Sequence, residues 1–350
     1  MRRVTLRRAS GLLLLTGTLC LTARTAGAED REQPFMRGII ISCPGAGRIW
    51  GTEEMTTALN EITALGASWI AIHPYAWVPR DGVIRHRPAA ETGYLAKAVR
   101  RMRAAGVEIL WKPHLGYWGS FEWRGSIEFG HDEAGWQRFF ATYRNFIVDQ
   151  ARFAEEHAIE LFSVGVEYES TMHHEAQWRE IIAAVRQVYR GRILYAANWD
   201  GLDRVRFWDA VDIIGVHAYF PLSEDAAPSR EALAAGWEDH LDRLRQLSQR
   251  HGKPIVFAEI GYTRVGSAAS RPWEHGSQDS SEHRELRRAL MEVALERVEQ
   301  EPDILGMFWW KWMPGRHAGR DFSLKEEEAR EALSRYWGSS APPVSQVAAD

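Results

Sequence analysis

Cysteine is nearly absent from this chain. Its 350 residues include two, Cys20 and Cys43. Cys20 lies in a segment expected to be removed, so no intrachain disulfide is expected and the core must supply the stability. Charge of one sign is also lacking: 43 Lys and Arg are scattered among 47 Asp and Glu, for a net charge of −4. With no basic stripe to follow a phosphate backbone, nucleic acid is not an expected partner. The apolar run Gly11 to Leu21 is too short to span a bilayer comfortably. It follows Arg2, Arg3, Arg7 and Arg8 and precedes Ala26-Gly27-Ala28, which is the layout of a secretory signal. Residues 1–28 are therefore expected to be cleaved, leaving a secreted or periplasmic protein without stable membrane association. An uncleaved anchor is the alternative, and a lipid anchor at Cys20 is disfavoured by Leu19, where a small residue belongs. No low-complexity segment precedes Ser339, and residues 339–350 read as a loose tail.

Hydrophobic residues make up 45% and charged residues 26% of the chain, enough for a large core in a soluble protein. Residues 29–338 read as one domain in which apolar strands alternate with helical patterns. Eight strands are expected: Arg37 to Ser42, Ser68 to His73, Val107 to Pro113, Ile159 to Glu167, Ile193 to Ala197, Asp212 to Tyr219, Pro254 to Gly261 and Leu305 to Trp310. Seven helices show clear periodicity, and Arg204 to Asp209 suggests a weak, short one after the fifth strand. Eight βα pairs make a single (β/α)8 TIM barrel of α/β class the economical architecture. An open doubly wound sheet is the alternative, but the first turn, Ser42-Cys43-Pro44-Gly45-Ala46-Gly47, runs into Arg48-Ile49-Trp50 and matches a phosphate-binding turn poorly.

Barrel chemistry sits at strand C-termini. Two segments, Phe162-Ser163-Val164-Gly165-Val166-Glu167 and Pro254 to Tyr262 with Glu259, each run an apolar strand into a glutamate. A buried carboxylate is unfavourable unless it is paired or used, and two facing one sugar suit glycosidic bond cleavage. Around them the strand ends carry Lys112 and His114, Glu169, Asn198, His217 and Tyr219, Tyr262, then Trp310, Lys311 and Trp312. Sixteen tryptophans add stacking faces, with Trp50, Trp77, Trp118, Trp123 and Trp199 placed in strand-end loops. Such a ring of carboxylate, amide, phenol and indole groups fits a polysaccharide or oligosaccharide.

The chain resembles retaining glycosidases of the large barrel clan, and more closely glycoside hydrolase family 113. The likeness runs over most of Phe35 to Trp337, through Trp111-Lys112-Pro113-His114, Val164-Gly165-Val166-Glu167, Asp212 to Tyr219, Phe257 to Tyr262 and Phe308-Trp309-Trp310-Lys311-Trp312. It implies an endo-acting β-1,4-mannanase with Glu167 as acid/base and Glu259 as nucleophile. Glu259 must be ionised, with Tyr219 as its expected donor, and the negative Glu259 is expected to raise Glu167. Many clan members carry Asn just before the acid/base. Here that position is Val166, so Lys112, His114 or Asn198 is expected to bind the sugar 2-hydroxyl. Trp50, Trp77, Trp310 and Trp312 are the expected stacking faces.

Glu169, two residues on, is the alternative acid/base. His73, His114 and His217 invite a metal-hydrolase reading, but the first strand offers no His-x-His pair, and no metal or cofactor is expected. A β-glucanase or other endo-glycosidase is the neighbouring alternative, and a glycan-binding barrel without catalysis the one from another class. Oligomeric state is left open.

Overall fold

The computed structural model describes residues 34–315 and 321–338; the signal and tail expected at 1–28 and 339–350 lie outside them. Ten strands form: β1 Met36–Ile41, β2 Trp69–Ile72, β3 Tyr75–Trp77, β4 Glu108–Trp111, β5 His114–Gly116, β6 Leu161–Val166, β7 Arg192–Asn198, β8 Ile213–His217, β9 Ile255–Ile260 and β10 Ile304–Trp312. Eight of them close a parallel barrel in the order β1-β10-β9-β8-β7-β6-β4-β2. The expected barrel is therefore formed, and the open sheet is not.

Seven α-helices wrap the described chain: α1 Glu53–Ala64, α2 Gly93–Ala104, α3 Glu133–Glu156, α4 Glu175–Arg186, α5 Arg230–His251, α6 Ser281–Val298 and α7 Glu327–Trp337. Local chemistry sets their ends. Asp132, Ser229 and Ser280 cap α3, α5 and α6 by accepting from the N–H of Gly135, Ala232 and His283. Along α3, Trp136, Phe139, Phe140, Tyr143, Phe146 and Ile147 recur on one face and are buried.

Three differences from the expected elements stand out. The third strand breaks after Trp111 because Pro113 has no N–H to give the ladder, and Pro74 does the same after β2. Beyond the breaks the chain resumes as β3 and β5, which pair with each other, Tyr75 against His114 and Trp77 against Gly116. This small sheet raises one wall above the barrel mouth. The weak fifth helix does not form either. Two single turns, Leu202–Arg204 and Trp208–Ala210, replace it, and buried Trp208 donates from its indole to Leu202 O at 3.1 Å, filling the space a helix would cover. The eighth strand also runs two residues further than expected, to Trp312.

Candidate active site

The C-terminal ends of β4, β6, β8 and β9 bring ionisable side chains to one point. Glu167 follows β6 directly. Its φ of 57° lies in the left-handed region, which a non-glycine residue enters at about 1 kcal/mol or more. Its N–H is held by Ala196 O at 2.9 Å. Glu259 lies in β9, whose register against β8 shifts so that His217 pairs with Glu259. Because strand side chains alternate, such a shift re-aims the glutamate relative to its neighbours. Gly215 allows β7 and β8 to approach closely there, since a Cβ would stand 2.5 Å from Tyr195 O.

His217 is buried between the two carboxylates. Its Nδ1 is 2.9 Å from Glu167 Oε1, and its Nε2 is 3.8 Å from Glu259 Oε2 and 3.4 Å from Lys112 Nζ. One imidazole thereby fixes how the glutamates stand to each other. Glu259 Oε1 accepts from Tyr219 OH at 2.6 Å and Oε2 from Lys112 Nζ at 2.9 Å. Burial pushes Glu259 up, but Lys112, His217 and Tyr219 together hold it well below the usual carboxylate range. Lys112 is drawn down by burial, against the pull of Glu259, and also donates to Ala258 O at 2.9 Å. The Tyr219 phenol is pushed far up by burial and by Glu259, which keeps it a donor.

Glu167 departs from expectation. Burial and the charge of Glu259 do raise it, but His217 and Arg124 outweigh them and the net displacement is downward. Arg124 Nη1 donates to Glu167 Oε2 at 2.9 Å. Both carboxylates are thus stabilised as anions when no sugar is bound. An ionised Glu259 can act as a nucleophile, and an ionised Glu167 as a base.

Above them opens a cleft of about 720 Å³, in the size range of ligand sites. Tyr75, Tyr117, Trp118, Trp123 and Arg124 line one side, and Trp199, Trp273 and His275 line the side built on β7 and β9. Tyr117 stacks on Trp118 with centroids 5.5 Å apart, and Trp199 on Trp273 at 6.1 Å. Trp118 is 60% exposed and Trp273 45%, unusual for tryptophan unless a ligand covers it. Among the described residues no group of His, Cys, Asp or Glu is arranged to hold a metal ion.

Of the residues singled out in sequence, Glu167, Glu259, Asn198, Tyr219, Trp310 and Lys311 line this cleft, with Trp118, Trp123 and Trp199. Five expected sugar contacts do not. Lys112 is fully buried and holds Glu259 instead. His114 is 1% exposed because β5 turns it inward, where it stacks on His73 with centroids 4.8 Å apart. Trp50 is completely buried on the turn Arg48–Gly51, edge-on to His73. Trp312 is buried as the last residue of β10, not part of a loop. Trp77 is 42% exposed, but outside the cleft, with Arg85 over its ring at 5.4 Å. Glu169 pairs with Arg204 and is not among the cleft residues, so Glu167 is the carboxylate that faces the cleft. Arg124 was missed. Its one sequence signal is its place beside Trp123 in a long irregular segment. His217 was noted at its strand end, but its bridging position follows from the register shift, which no pattern in the sequence announces.

Comparison with known proteins agrees with this geometry. The family model described as Glycoside Hydrolase Family 113 matches residues 44–328. Among solved structures, a GH113 β-mannanase from Alicyclobacillus acidocaldarius in complex with ManMIm is 25% identical, with a TM-score of 0.74 over 88% of this chain and 98% of that one. A GH113 β-1,4-mannanase is 22% identical, with a TM-score of 0.76 over 88% and 100%. A family 5 mannosidase from Rhizomucor miehei is 13% identical, with a TM-score of 0.57 over 87% and 92%, which is likeness of fold. No curated protein sequence matches the chain. With a family match over most of its length, a closed barrel and, at strand ends, one buried and one half-buried glutamate, the chain belongs to glycoside hydrolase family 113.

Proposed function

We propose that this glycoside hydrolase is an exported, endo-acting, retaining β-1,4-mannanase with Glu259 as nucleophile and Glu167 as acid/base. The observation that carries the reading is the unequal footing of the two carboxylates. Glu259 accepts from two donors, fully buried Lys112 at the end of β4 and Tyr219 just after β8, a cleft residue only 9% exposed. Glu167 sits at the cleft wall with one partner that is itself a cleft residue. A nucleophile must stay ionised; an acid/base must change state twice per turnover. In the first step Glu259 attacks the anomeric carbon as Glu167 protonates the leaving oxygen. In the second, Glu167 removes a proton from the water that displaces Glu259. The mannan preference rests on the family and on the β-mannanases it resembles. Asn198 remains as the proposed partner of the sugar 2-hydroxyl, since Lys112 and His114 are withdrawn from the cleft. Export rests on the signal layout of residues 1–28.

The test is reducing-end release from β-mannan, glucomannan, cellulose and xylan by wild type, Glu167→Gln and Glu259→Gln, with NMR of the first-formed anomer. Mannan cleavage that gives the β-anomer and is abolished by both substitutions is expected. An α-anomer product overturns retention, preference for cellulose overturns the substrate, and no release from any glycan by folded protein favours a binding barrel. N-terminal sequencing of exported protein tests cleavage of the signal.

A further inference from the structure

Within the proposed mechanism Glu167 has no free oxygen. Oε1 faces His217 Nδ1 at 2.9 Å, and Oε2 accepts from Arg124 Nη1 at 2.9 Å. A guanidinium keeps its protons, so while it donates to Oε2 its charge and its hydrogen bond favour the anion and oppose protonation there. One partner must let go before Glu167 can act as an acid. His217 is fully buried and locked in the ladder of β8. Arg124 lies on a three-residue turn, Arg124–Ser126, in the loop between β5 and α3. Its Nε has no hydrogen-bond partner among the described residues, and its guanidinium rests over the Tyr117 ring, 5.7 Å from the centroid. It also lines the cleft beside Glu167 and Trp123. Arg124, which lines the cleft beside Glu167, is the partner placed to move.

We propose that Arg124 is a substrate-released latch on Glu167: a sugar on the leaving-group side takes the guanidinium donors with its hydroxyls and frees Oε2 to be protonated. This rests on Glu167 being the acid/base. Once released, the carboxylate takes one proton from solvent. It passes that proton to the leaving oxygen as the bond from that oxygen to the anomeric carbon breaks and the Glu259 ester forms. Water then returns a proton to Glu167 as its hydroxyl displaces Glu259. Product departure lets that proton go to solvent and Arg124 re-pair. Arg124 is thus a positioning residue, acting through Glu167. The other groups that face Glu167 electrostatically are Glu259, Lys112 and Glu169 and the phenols of Tyr168, Tyr195 and Tyr219. Among the described residues none of these bonds its oxygens, so His217 and Arg124 are its two direct partners.

Two substrates separate the states. β-1,4-mannohexaose is long enough to place sugars on both sides of the bond that breaks, whereas phenyl β-mannobioside puts no sugar on the leaving side although its phenoxide still needs a proton. In wild type the alkaline limb of kcat for the phenyl glycoside is expected about one pH unit or more below that for the hexaose, the low end of what a neighbouring guanidinium does to a carboxylate. Arg124→Met is expected to bring the two limbs together and to raise KM for the hexaose but not for the phenyl glycoside, while Arg124→Lys keeps part of the gap. Coincident limbs in wild type, a comparison that needs no variant, overturn the latch, as does a gap that survives in folded Arg124→Met. Full activity in Glu167→Gln overturns the acid/base assignment and the latch together; coincident limbs alongside an inactive Glu167→Gln overturn the latch alone.

Discussion

Beneath the loop that follows β9, Arg287 donates from Nε to Tyr262 O at 2.9 Å, from Nη1 to Glu328 at 2.9 Å and from Nη2 to Ser323 O at 2.8 Å. Arg264 joins the same Glu328 at 3.1 Å and reaches Glu326 at 2.6 Å. Glu259 of β9 belongs to a second, largely buried ion cluster with Arg124, His217, Lys112 and Glu167, in which Arg124 spends one nitrogen on Glu167 and Nε on nothing described. Both clusters pack charges away from water, which is tolerable only when desolvation is matched by partners. They differ in completeness. The first ties the loops after β9 and β10 to α6 and α7 through donors that all have acceptors. The second borders the cleft and keeps one partner that can be withdrawn. Charge is closed off where nothing has to change and left open beside Glu167, whose protonation state changes in the proposed mechanism.

The largest expected effects lie in the open cluster and are on rate. Glu259→Gln is expected to lose about 10⁴-fold or more in kcat on mannan, since a nucleophile acts as part of a unit that fails when one member is removed. Because the substitution also strands buried Lys112, its Tm should fall too, and kcat is compared well below that transition; activity that returns in full once the variant is folded would make Glu259 a structural residue. Glu328→Gln is expected to cost stability alone. Removing one partner of a buried pair strands the other charges, at about 3–5 kcal/mol, so urea unfolding should shift strongly while kcat below the transition is unchanged. Loss of kcat in folded Glu328→Gln would join the two clusters into one functional unit.

How much of this was legible in sequence follows from the range of each interaction. Glu167 and Glu259 stood out because strand period and a terminal carboxylate are local patterns, and the barrel followed from repeating them. Residues whose placement depends on a break or a shift were misjudged. Pro113 turned His114 from a cleft residue into a core one, and the longer β10 put Trp312 in the core. Trp50 was taken for a stacking face because a turn residue after a strand is usually near the mouth, yet its turn folds back onto His73. Arg124 left little trace beyond its place beside Trp123, because a short turn in a long irregular segment has no period, and its partner lies 43 residues away.

The pair of His73 and His114 sharpens the comparison, since here burial is met without charge. They stack below Trp310, and burial, helped by Lys112 and Arg124, pushes His73 down to about 3, with His114 lowered in the same way. The unfolded chain takes up a proton near about 6.5 that the folded pair refuses. Stability should therefore be fully present above about 6.5 and fall as pH drops toward the folded value, at about 1.4 kcal/mol per pH unit for each histidine. Urea midpoints at pH 7 and 5 measure this, in a window above the range where carboxylates titrate. His73→Phe should flatten the slope, and an unchanged slope would mean that the folded pair accepts protons.

The smallest expected effect comes from a site whose hydrogen bonds are as complete as those of Arg287. Arg179 donates to Glu175 at 2.8 Å, to both oxygens of Asp209 at 2.9 Å and to Arg206 O at 2.8 Å. If bond count set the energy, Arg179→Met would match Glu328→Gln. It is 38% exposed, however, so water screens the charges and solvates whatever the substitution leaves behind. The expected loss is about 1 kcal/mol or less, read from the same urea titration and shrinking further in added salt. A loss equal to that of Glu328→Gln would mean that geometry governs these networks and would remove the ground for treating the cleft cluster as unfinished. A small loss leaves burial as the variable, and burial is what makes one missing partner at Arg124 consequential.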